Sequence, residues 1–380
     1  MQNFVFKNPT EILFGRGMIA EISSRVPQGV PVLMTYGHGS IKQNGVYEQV
    51  RAALREHNVI EFAGIEPNPI CETCLKAVTL VRQHGVQFLL AVGGGSVLDA
   101  TKFIAAAARH EGSDPWEILR TVGSCVRSAV PLASILTLPA TGSESNGNAV
   151  ISRAATAEKL YFGSNHTFPQ FAVLDPETTF SLPAKQVRNG IVDAFVHVLE
   201  QYLTYAADAP LQDRFAESIL QTLVEVGPKT LANPRDYAPR ASFMWSATLA
   251  LNNLIGCGVP QDWTTHMIGH ELTALYGPDH AETLAVVLFG VWQHQLRQKE
   301  AKLQQYGERV WGVKSPQAAI DSTEAFFHAL GMPTRLSHYG IDANDAARHV
   351  QERFASRRAV YGEHEDITPE AAAAILQLRA

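Results

Sequence analysis

Apolar runs alternate with helix-like patterns along the first third of the chain, and this alternation constrains the fold more than any other feature. The predicted elements are strands at residues 32–36, 59–65 and 88–92, with helices at about 46–57 and 71–84 between them. Short links between such strands and helices are typical of a parallel sheet with helices on its faces. The apolar run at residues 133–138 is a candidate for one more strand.

The pattern changes near Pro183. Beyond it the chain is rich in Ala, Leu and Glu at helical spacing, with Phe215, Ile219 and Leu223 on one face, and strand-like runs almost vanish. A chain of 380 residues is too long for one compact core. We therefore predict an α/β domain over residues 1–182 and an all-helical domain over residues 183–380.

Composition excludes several classes of protein. A formal charge of -6 argues against a nucleic-acid binder. Charged residues make up 18% of the chain, below the roughly 25% that is typical, which suggests that some surface is buried against a second copy. The most apolar stretch, residues 284–292, is about half the length of a membrane span. We expect no membrane or nucleic-acid partner.

Two further features of the sequence concern the subcellular location of the protein. The N-terminal residues lack the continuous apolar core of a signal peptide. Of four cysteines, Cys71 and Cys74 form a lone C-x-x-C, and no second pair completes a zinc site. We therefore expect a cytoplasmic protein without structural disulfides.

A glycine-rich turn joins the strand at residues 88–92 to the helix that follows it. In Gly93-Gly94-Gly95-Ser96 the glycines would let a phosphate approach the backbone, and the first N–H groups of the helix would attract its charge. The alternative is a tight strand–helix turn with Ser96 as N-cap. The third glycine of the usual dinucleotide fingerprint would fall on Leu98. The turn predicts a phosphate site on an α/β sheet, but it does not identify which phosphate-bearing ligand binds there.

Histidines and one aspartate in the second half have the spacing of metal ligands. Asp193 and His197 are four residues apart, so a helix would place them on one face. His266 and His270 have the same spacing, and His280 follows a Gly-Pro turn. Imidazoles and a carboxylate suit Zn²⁺ or Fe²⁺, although a single Asp-x-x-x-His pair is more often a solvated pair or a cap. Spacing alone leaves open which histidines bind.

These features together resemble the iron-containing (group III) alcohol dehydrogenases, over essentially the whole chain. The resemblance is strongest to the branch of NADPH-dependent aldehyde reductases and butanol dehydrogenases. It implies a Rossmann-like dinucleotide-binding domain and an all-helical metal-binding domain, in the architecture shared with dehydroquinate synthase. Four segments carry it in addition to the motifs above, at residues 12–15, 64–69, 138–146 and 260–266.

The resemblance assigns roles to individual residues. It implies metal ligation by Asp193, His197, His266 and His280, with His270 beside the metal without binding it. The residues that match the pyrophosphate-binding turn are Gly94, Gly95 and Ser96. The residues that fall where relatives contact the nicotinamide and riboses are Asp99, Thr137, Leu138, Thr141, Asn146 and Lys159, and Asn68 falls near the adenosine.

One position departs from the pattern of many relatives. Members that use NAD often carry Asp after the first nucleotide-side strand, and this chain has Gly37. A carboxylate there would bind the adenosine ribose hydroxyls and repel a 2′-phosphate. Gly37, Gly39 and Ser40, with Lys42 within reach, are therefore candidates to accept the phosphate of NADP(H). The alternative is that the glycines only make a tight turn.

The implied reaction is hydride transfer between NADP(H) and an aldehyde or primary alcohol, with one divalent metal per chain as Lewis acid. His270 would relay a proton or only orient the site. The resemblance also implies a homodimer.

Three other functions stay open. A glycerol-type polyol dehydrogenase would use NAD, and a metal hydrolase would have a purely structural glycine turn. A dehydroquinate-synthase-like lyase needs basic residues near the metal, whereas the charges near His266 to His280 in the sequence are Glu271 and Asp279.

Overall fold

The computed structural model describes residues 1–380 in two compact units. The first, called here the α/β unit, comprises Lys7–Pro183 and Pro234–Thr248. The second, called the helical unit, comprises Met1–Phe6, Ala184–Asn233 and Leu249–Ala380.

A six-stranded parallel sheet lies at the centre of the α/β unit. The strands are β1 (Glu11–Phe14), β2 (Pro31–Tyr36), β3 (Asn58–Phe62), β4 (Phe88–Gly94), β5 (Leu132–Leu138), β6 (Asn148–Arg153), β7 (Glu158–Gly163) and β8 (Phe171–Leu174). The sheet order is β1-β8-β5-β4-β2-β3, and β6 pairs with β7 as a separate antiparallel ribbon. Each neighbouring pair in the sheet is parallel. The predicted parallel sheet is confirmed, and the run at residues 133–138 is a strand.

Helices cover both faces of this sheet. They are α1 (Val46–Ala53), α2 (Cys71–Gln83), α3 (Gly95–Arg109) and the short α4 (Glu117–Arg120). On one face α1 packs Val46 and Val50 against sheet residues such as Met34. On the other face α2 and α3 pack against Leu33 and the alternate residues of β4. Helix α1 ends earlier than the predicted helix, and β3 ends at Phe62 rather than at residue 65.

The remainder of the chain is almost entirely helical. The helices are α5 (Ala184–Tyr202), α6 (Pro210–Ala232), α7 (Tyr237–Ala250), α8 (Thr264–Tyr276), α9 (His280–His294), α10 (Leu296–Tyr306), α11 (Pro316–Ala329), α12 (Ala343–Arg357) and α13 (Pro369–Gln377). Helix α5 packs on α6 and α9, and α8 packs on α9. Phe195 of α5 lies against Phe326 and Phe327 of α11, with ring centroids 5.4 Å and 5.8 Å apart. Every helix is too short or too polar to cross a membrane.

Most of α7 packs within the α/β unit, although it lies far along the sequence. Met244 joins Leu136 and Leu174 in a small buried cluster beneath the sheet. Trp245 contacts Phe14 of β1, with ring centroids 6.0 Å apart. This helix therefore completes the core of the α/β unit rather than that of the helical unit.

The C-x-x-C pair lies in the first turn of α2. Cys71 and Cys74 are free and buried. Burial raises the pKa of the Cys71 thiol to about 12 and raises that of Cys74 as well. Because the thiolate is the reactive and metal-binding form, these cysteines serve as small apolar residues of the core.

Candidate active site

The order of the strands reverses between β2 and β4. From β2 the chain runs through α1 on one face to the edge strand β3, then through α2 on the opposite face to β4 and onward to β5. In sheets of this kind, ligands bind beyond the carboxyl ends of the strands at such a reversal. The two segments that flank it are Gly37–Ser40 after β2 and the glycine-rich turn after β4. The topology thus places both nucleotide-binding candidates at the same point of the sheet.

Close packing requires the three glycines of the turn. A Cβ atom on Gly93 would lie 2.6 Å from Val97, one on Gly94 would lie 2.9 Å from Leu138, and one on Gly95 would lie 2.6 Å from Thr141. The pairing of β4 with β5 also shifts register between Gly93 and Gly94. The turn is therefore a tight strand–helix connection, as the interpretation without a bound phosphate also predicts.

The same turn leaves a helix terminus available to an anion. Gly94 is the N-cap residue of α3, and no side chain caps the helix. The alternative interpretation of the turn named Ser96 as N-cap, and this detail is wrong because α3 begins one residue before Ser96. Uncapped N–H groups at a helix N-terminus form a ready anion site. Tight packing and phosphate binding are thus compatible at this turn.

A buried polar network lies behind the turn and includes two of the predicted cofactor contacts. Asp99 accepts hydrogen bonds from the Ser143 hydroxyl at 2.7 Å and from the Val150 amide at 2.9 Å. Lys102 donates to the Ser143 hydroxyl at 2.8 Å and to the Asn146 side-chain oxygen at 3.1 Å. Burial lowers the pKa of Lys102 to about 8, against the opposing effect of the Asp99 charge. The network fixes α3 to the segment that carries Thr141 and Asn146.

The sequence analysis missed Lys102. Its signal was a lone lysine on α3 amid buried apolar residues, three positions after Asp99. A helix brings residues at that spacing onto one face. Another pair of predicted contacts also meets, since Lys159 donates to the Asn68 side chain at 2.8 Å. Thr137 and Leu138 end β5 beside the glycine-rich turn.

The backbone requires glycine at position 39 but not at position 37. Gly39 has φ 100°, a left-handed conformation that favours glycine. Gly37 is not in that region, and a Cβ atom there would meet only the Ile65 carbonyl oxygen at 3.4 Å. Backbone strain therefore explains glycine at position 39 but not at position 37. Lys42 lies nearby, with its ammonium 4.7 Å from the Tyr47 ring centroid and 3.9 Å from Glu61.

Three helices of the helical unit bring metal-ligand atoms together. Asp193 of α5, His266 of α8 and His280 of α9 each offer one ligand atom within 4.8 Å of the others. His280 Nε2 lies 3.9 Å from Asp193 Oδ1. Asp193 and His266 are buried, and His280 is partly exposed. One carboxylate with imidazoles is a donor set that suits Zn²⁺ or Fe²⁺. The residues present therefore fit a divalent ion.

His197 lies against this group. Its Nε2 is 3.7 Å from Asp193 Oδ1, and its ring stacks on that of His266 with centroids 4.7 Å apart. Burial lowers the pKa of His197 to about 4, so the imidazole is neutral, which is the form that binds metals. Three of the four predicted ligands, Asp193, His266 and His280, thus bring their ligand atoms close together, and the fourth, His197, lies in contact with them. Ligation itself stays a prediction.

Glu200, which the sequence analysis missed, holds His266 from the other side. Its carboxylate accepts from the Thr265 amide at 2.6 Å and contacts Nδ1 of His266. Burial raises the pKa of Glu200 well above its ordinary value, and the charge of Asp262 raises it further. The signal in the sequence was its spacing after Asp193 and His197, which continues the polar stripe on an otherwise apolar helix.

His270 lies beside the metal-ligand group, and charged residues lie close to its helix. The ring of His270 is buried, with its centroid 5.0 Å from that of His280 and 6.2 Å from that of His266. Basic residues from a distant part of the chain also reach this segment. Arg353 donates to Glu271 at 2.8 Å, and Arg357 contacts the other oxygen of the same carboxylate. Since both arginines come from α12, about eighty residues away, local sequence could not reveal them.

A lysine also lies near the second acidic residue. Lys185 pairs with Asp279 at 2.8 Å and with Glu282 at 3.1 Å. Each basic group therefore faces a carboxylate, so these charges are balanced within the protein. The arrangement does not form the open basic cluster that a phosphate-bearing substrate would need.

Comparison with known proteins defines the class. The sequence profile of the family described as iron-containing alcohol dehydrogenase matches residues 9–176, and that of the C-terminal part of the Fe-containing alcohol dehydrogenase family matches residues 188–379. The chain belongs to the iron-containing alcohol dehydrogenase family, as the sequence resemblance indicated.

Individual relatives are similar along their whole length. The chain is 55% identical to the NADPH-dependent aldehyde reductase YqhD of Escherichia coli over 97% of each chain. It is 38% identical to the NADH-dependent butanol dehydrogenase A of Clostridium acetobutylicum over 96% of this chain and 97% of the relative. A crystal structure of E. coli YqhD superposes with a TM-score of 0.98 at 53% identity, covering 100% of this chain and 99% of the other.

Proposed function

We propose that this protein is an NADP(H)-dependent, metal-dependent oxidoreductase that interconverts aldehydes and primary alcohols with broad specificity. The observation that carries the proposal is the group formed by Asp193, His266 and His280 within a member of the iron-containing alcohol dehydrogenase family. The 55% identity to an NADPH-dependent aldehyde reductase supports the direction and the cofactor.

When bound, the divalent ion would supply a Lewis acid for the substrate carbonyl, and NADPH would supply the hydride. The protein's own residues would hold these groups in place. Asp193, His197, His266 and His280 would hold the ion. Gly94, Gly95 and the first N–H groups of α3 would bind the pyrophosphate.

The role of His270 stays divided between two possibilities. It lies within reach of the ligand group, with its ring 5.0 Å from that of His280. A neutral imidazole there could pass a proton between the product oxygen and solvent, or it could only keep His280 oriented.

The choice of cofactor rests on Gly37. Relatives use different cofactors by name, NADPH in the E. coli reductase at 55% identity and NADH in the C. acetobutylicum butanol dehydrogenase at 38% identity. Position 37 carries no carboxylate that would repel a 2′-phosphate, and its backbone conformation does not demand glycine. NADP(H) is therefore favoured over the NAD of a polyol dehydrogenase.

We also propose that the protein is a cytoplasmic homodimer. Three consecutive apolar residues near the start of the chain are exposed to solvent: Phe4 is 52% exposed, Val5 96% and Phe6 44%. Leaving a contiguous apolar patch in water is unfavourable in free energy. A second copy that covers them would remove this cost. Light scattering during gel filtration should give twice the 41.5 kDa of one chain.

One assay tests the activity directly. Protein loaded with Zn²⁺ or Fe²⁺ and mixed with NADPH and a series of straight-chain aldehydes should consume the reduced cofactor, as followed by its absorbance. Chelator-treated protein should lose this activity and regain it on adding either ion. No consumption with any aldehyde in metal-loaded protein would overturn the proposal, and an active metal-free protein would overturn its metal-dependent part.

A further inference from the structure

Glu200 contacts both the backbone and the ring of a proposed metal ligand. The residue lies on α5, three positions after His197, and is 5% exposed. One carboxylate oxygen accepts from the Thr265 amide at 2.6 Å and from the His266 amide at 3.4 Å. The other oxygen contacts Nδ1 of the His266 ring. A single buried side chain thus contacts both the first turn of α8 and the ring of His266.

The ring contact decides which nitrogen of His266 can bind an ion. A carboxylate beside Nδ1 favours a proton on that nitrogen, and the lone pair of a neutral imidazole then lies on Nε2. His266 contributes a ligand atom to the group with Asp193 and His280. A hydrogen bond from the remote nitrogen to a carboxylate also makes the ligating nitrogen more basic.

Stabilising the start of α8 does not require Glu200 to reach the ring. The Thr264 amide already donates to Asp262 at 3.0 Å, and the charge of Asp262 is balanced by Lys299 at 2.9 Å. Glu200 instead pairs with the ring of His266. Because Asp262 already serves the first amide of α8, the contact of Glu200 with the ring points to a role toward the ion.

We propose that Glu200 is a positioning residue for the metal centre, which holds His266 in the Nδ1–H form so that Nε2 faces the ion. This inference rests on the proposed function, since it needs the ion at Asp193, His266 and His280. Glu200 touches neither substrate nor cofactor in this role and acts only through His266.

The test measures metal affinity rather than turnover. Glu200→Gln keeps the shape but replaces one acceptor oxygen by an NH₂ group, which would face a donor at either the Thr265 amide or His266. The matched control is Glu217→Gln, since Glu217 is a buried carboxylate of the same unit that accepts from Tyr202 at 2.8 Å and lies on α6. Dissociation constants for Zn²⁺ and Co²⁺ come from competition with a chelator.

We expect Glu200→Gln to bind both ions roughly 10- to 100-fold more weakly and Glu217→Gln to bind them like the wild type. The visible spectrum of bound Co²⁺ should change in the first variant alone. Equal affinities of Glu200→Gln and wild type would overturn the inference while leaving the metal centre intact. A wild type that binds neither ion would overturn the proposed function and this inference with it.

A second measurement needs no variant at the site. Nitrogen-15 shifts of histidine-labelled, Zn²⁺-loaded wild type report which ring nitrogen carries the proton. His266 should show a protonated Nδ1, which supports the inference, and a protonated Nε2 would overturn it even if Glu200→Gln failed to fold.

Discussion

Gly37 is the single residue on which the choice between NADPH and NADH depends most. Gly37→Asp should lower the preference for NADPH roughly tenfold to a hundredfold, because a partly exposed clash with a 2′-phosphate costs about 1–3 kcal/mol. The new Cβ atom meets only a carbonyl oxygen at 3.4 Å, so the variant should fold. The measurement is kcat/KM for both cofactors. Gly37→Ser is the control, since it adds the Cβ atom without the charge and should keep the preference.

A wild type that favours NADH would show that Gly37 is only a turn residue. The same conclusion would follow if Gly37→Asp left the ratio of specificity constants unchanged.

His270 and His280 have neighbouring rings but different expected roles. His270→Ala should keep near-stoichiometric metal and lose about 10²-fold in kcat, the size typical of one acid–base group. His280→Ala should lose the metal itself. Metal analysis of both purified variants, alongside steady-state kinetics, separates the roles. Equal loss of metal in the two variants would show that His270 is a ligand, and partial rescue of His270→Ala by added imidazole would favour the proton relay.

At the scale of the element, α3 carries a lysine whose burial makes stability depend on pH. Lys102 has an ordinary pKa of 10.5 and a pKa of about 8 in the folded chain. Between these values the unfolded chain holds a proton that the folded chain has released, so the free energy of unfolding should rise with pH across that window. The full difference amounts to about 3 kcal/mol.

Lys102→Met should lack this rise. Urea unfolding from pH 7 to pH 10.5 measures it, with the same titration of Lys76→Met as control, because Lys76 is an exposed residue of α2. Identical pH dependence in wild type and Lys102→Met would mean that Lys102 stays protonated in the folded chain throughout.

The burial of a strand or helix decides whether it can be predicted from the sequence. Strands β2, β4 and β5 are covered on both faces, so they read as continuous apolar runs and are predicted correctly. Strand β1 has four residues and lies at the sheet edge, and β6 and β7 form a ribbon outside the main sheet in which buried and partly exposed residues are mixed, so neither produces such a run. All of these were missed, as was β8.

Side chains show the same limit. The sequence reveals two locally spaced motifs, Asp193 with His197 and His266 with His270 and His280. The structure brings ligand atoms of Asp193, His266 and His280 together. Glu200 and Lys102 were missed because each contacts a residue that is distant in the sequence. Glu200 contacts His266, sixty-six residues away, and Lys102 donates to the backbone of Asn148, forty-six residues away. A buried charge is visible in sequence only as an isolated polar residue on an apolar helix.

At the scale of the whole molecule, the two binding functions lie on separate units. The proposed metal ligands all belong to the helical unit, and the proposed nucleotide contacts all belong to the α/β unit. The sequence placed the division at residue 182, whereas the segment Pro234–Thr248 groups with the α/β unit. Periodicity identifies α7 as a helix but cannot assign it to a core, because its partners Phe14 and Glu144 are a hundred or more residues away.

This separation predicts two distinct patterns of protection from hydrogen exchange. A ligand that binds only the folded form raises the free energy of local opening around its site. Zn²⁺ alone should therefore slow amide exchange in α5, α8 and the first turn of α9. NADPH alone should slow exchange at residues 37–42, 94–99 and 137–146.

His266→Ala provides the decisive comparison. It should lose bound metal, turnover and the Zn²⁺-dependent protection of α5 and α8, while the NADPH-dependent protection at residues 94–99 stays as in the wild type. Mass spectrometry of peptides, with metal content measured on the same samples, follows all of these at once. If Zn²⁺ protected α8 equally in His266→Ala and wild type, the ligand set would be wrong. If His266→Ala lost protection by NADPH too, the two binding functions would not be independent, because loss of the metal would then disturb the α/β unit as well.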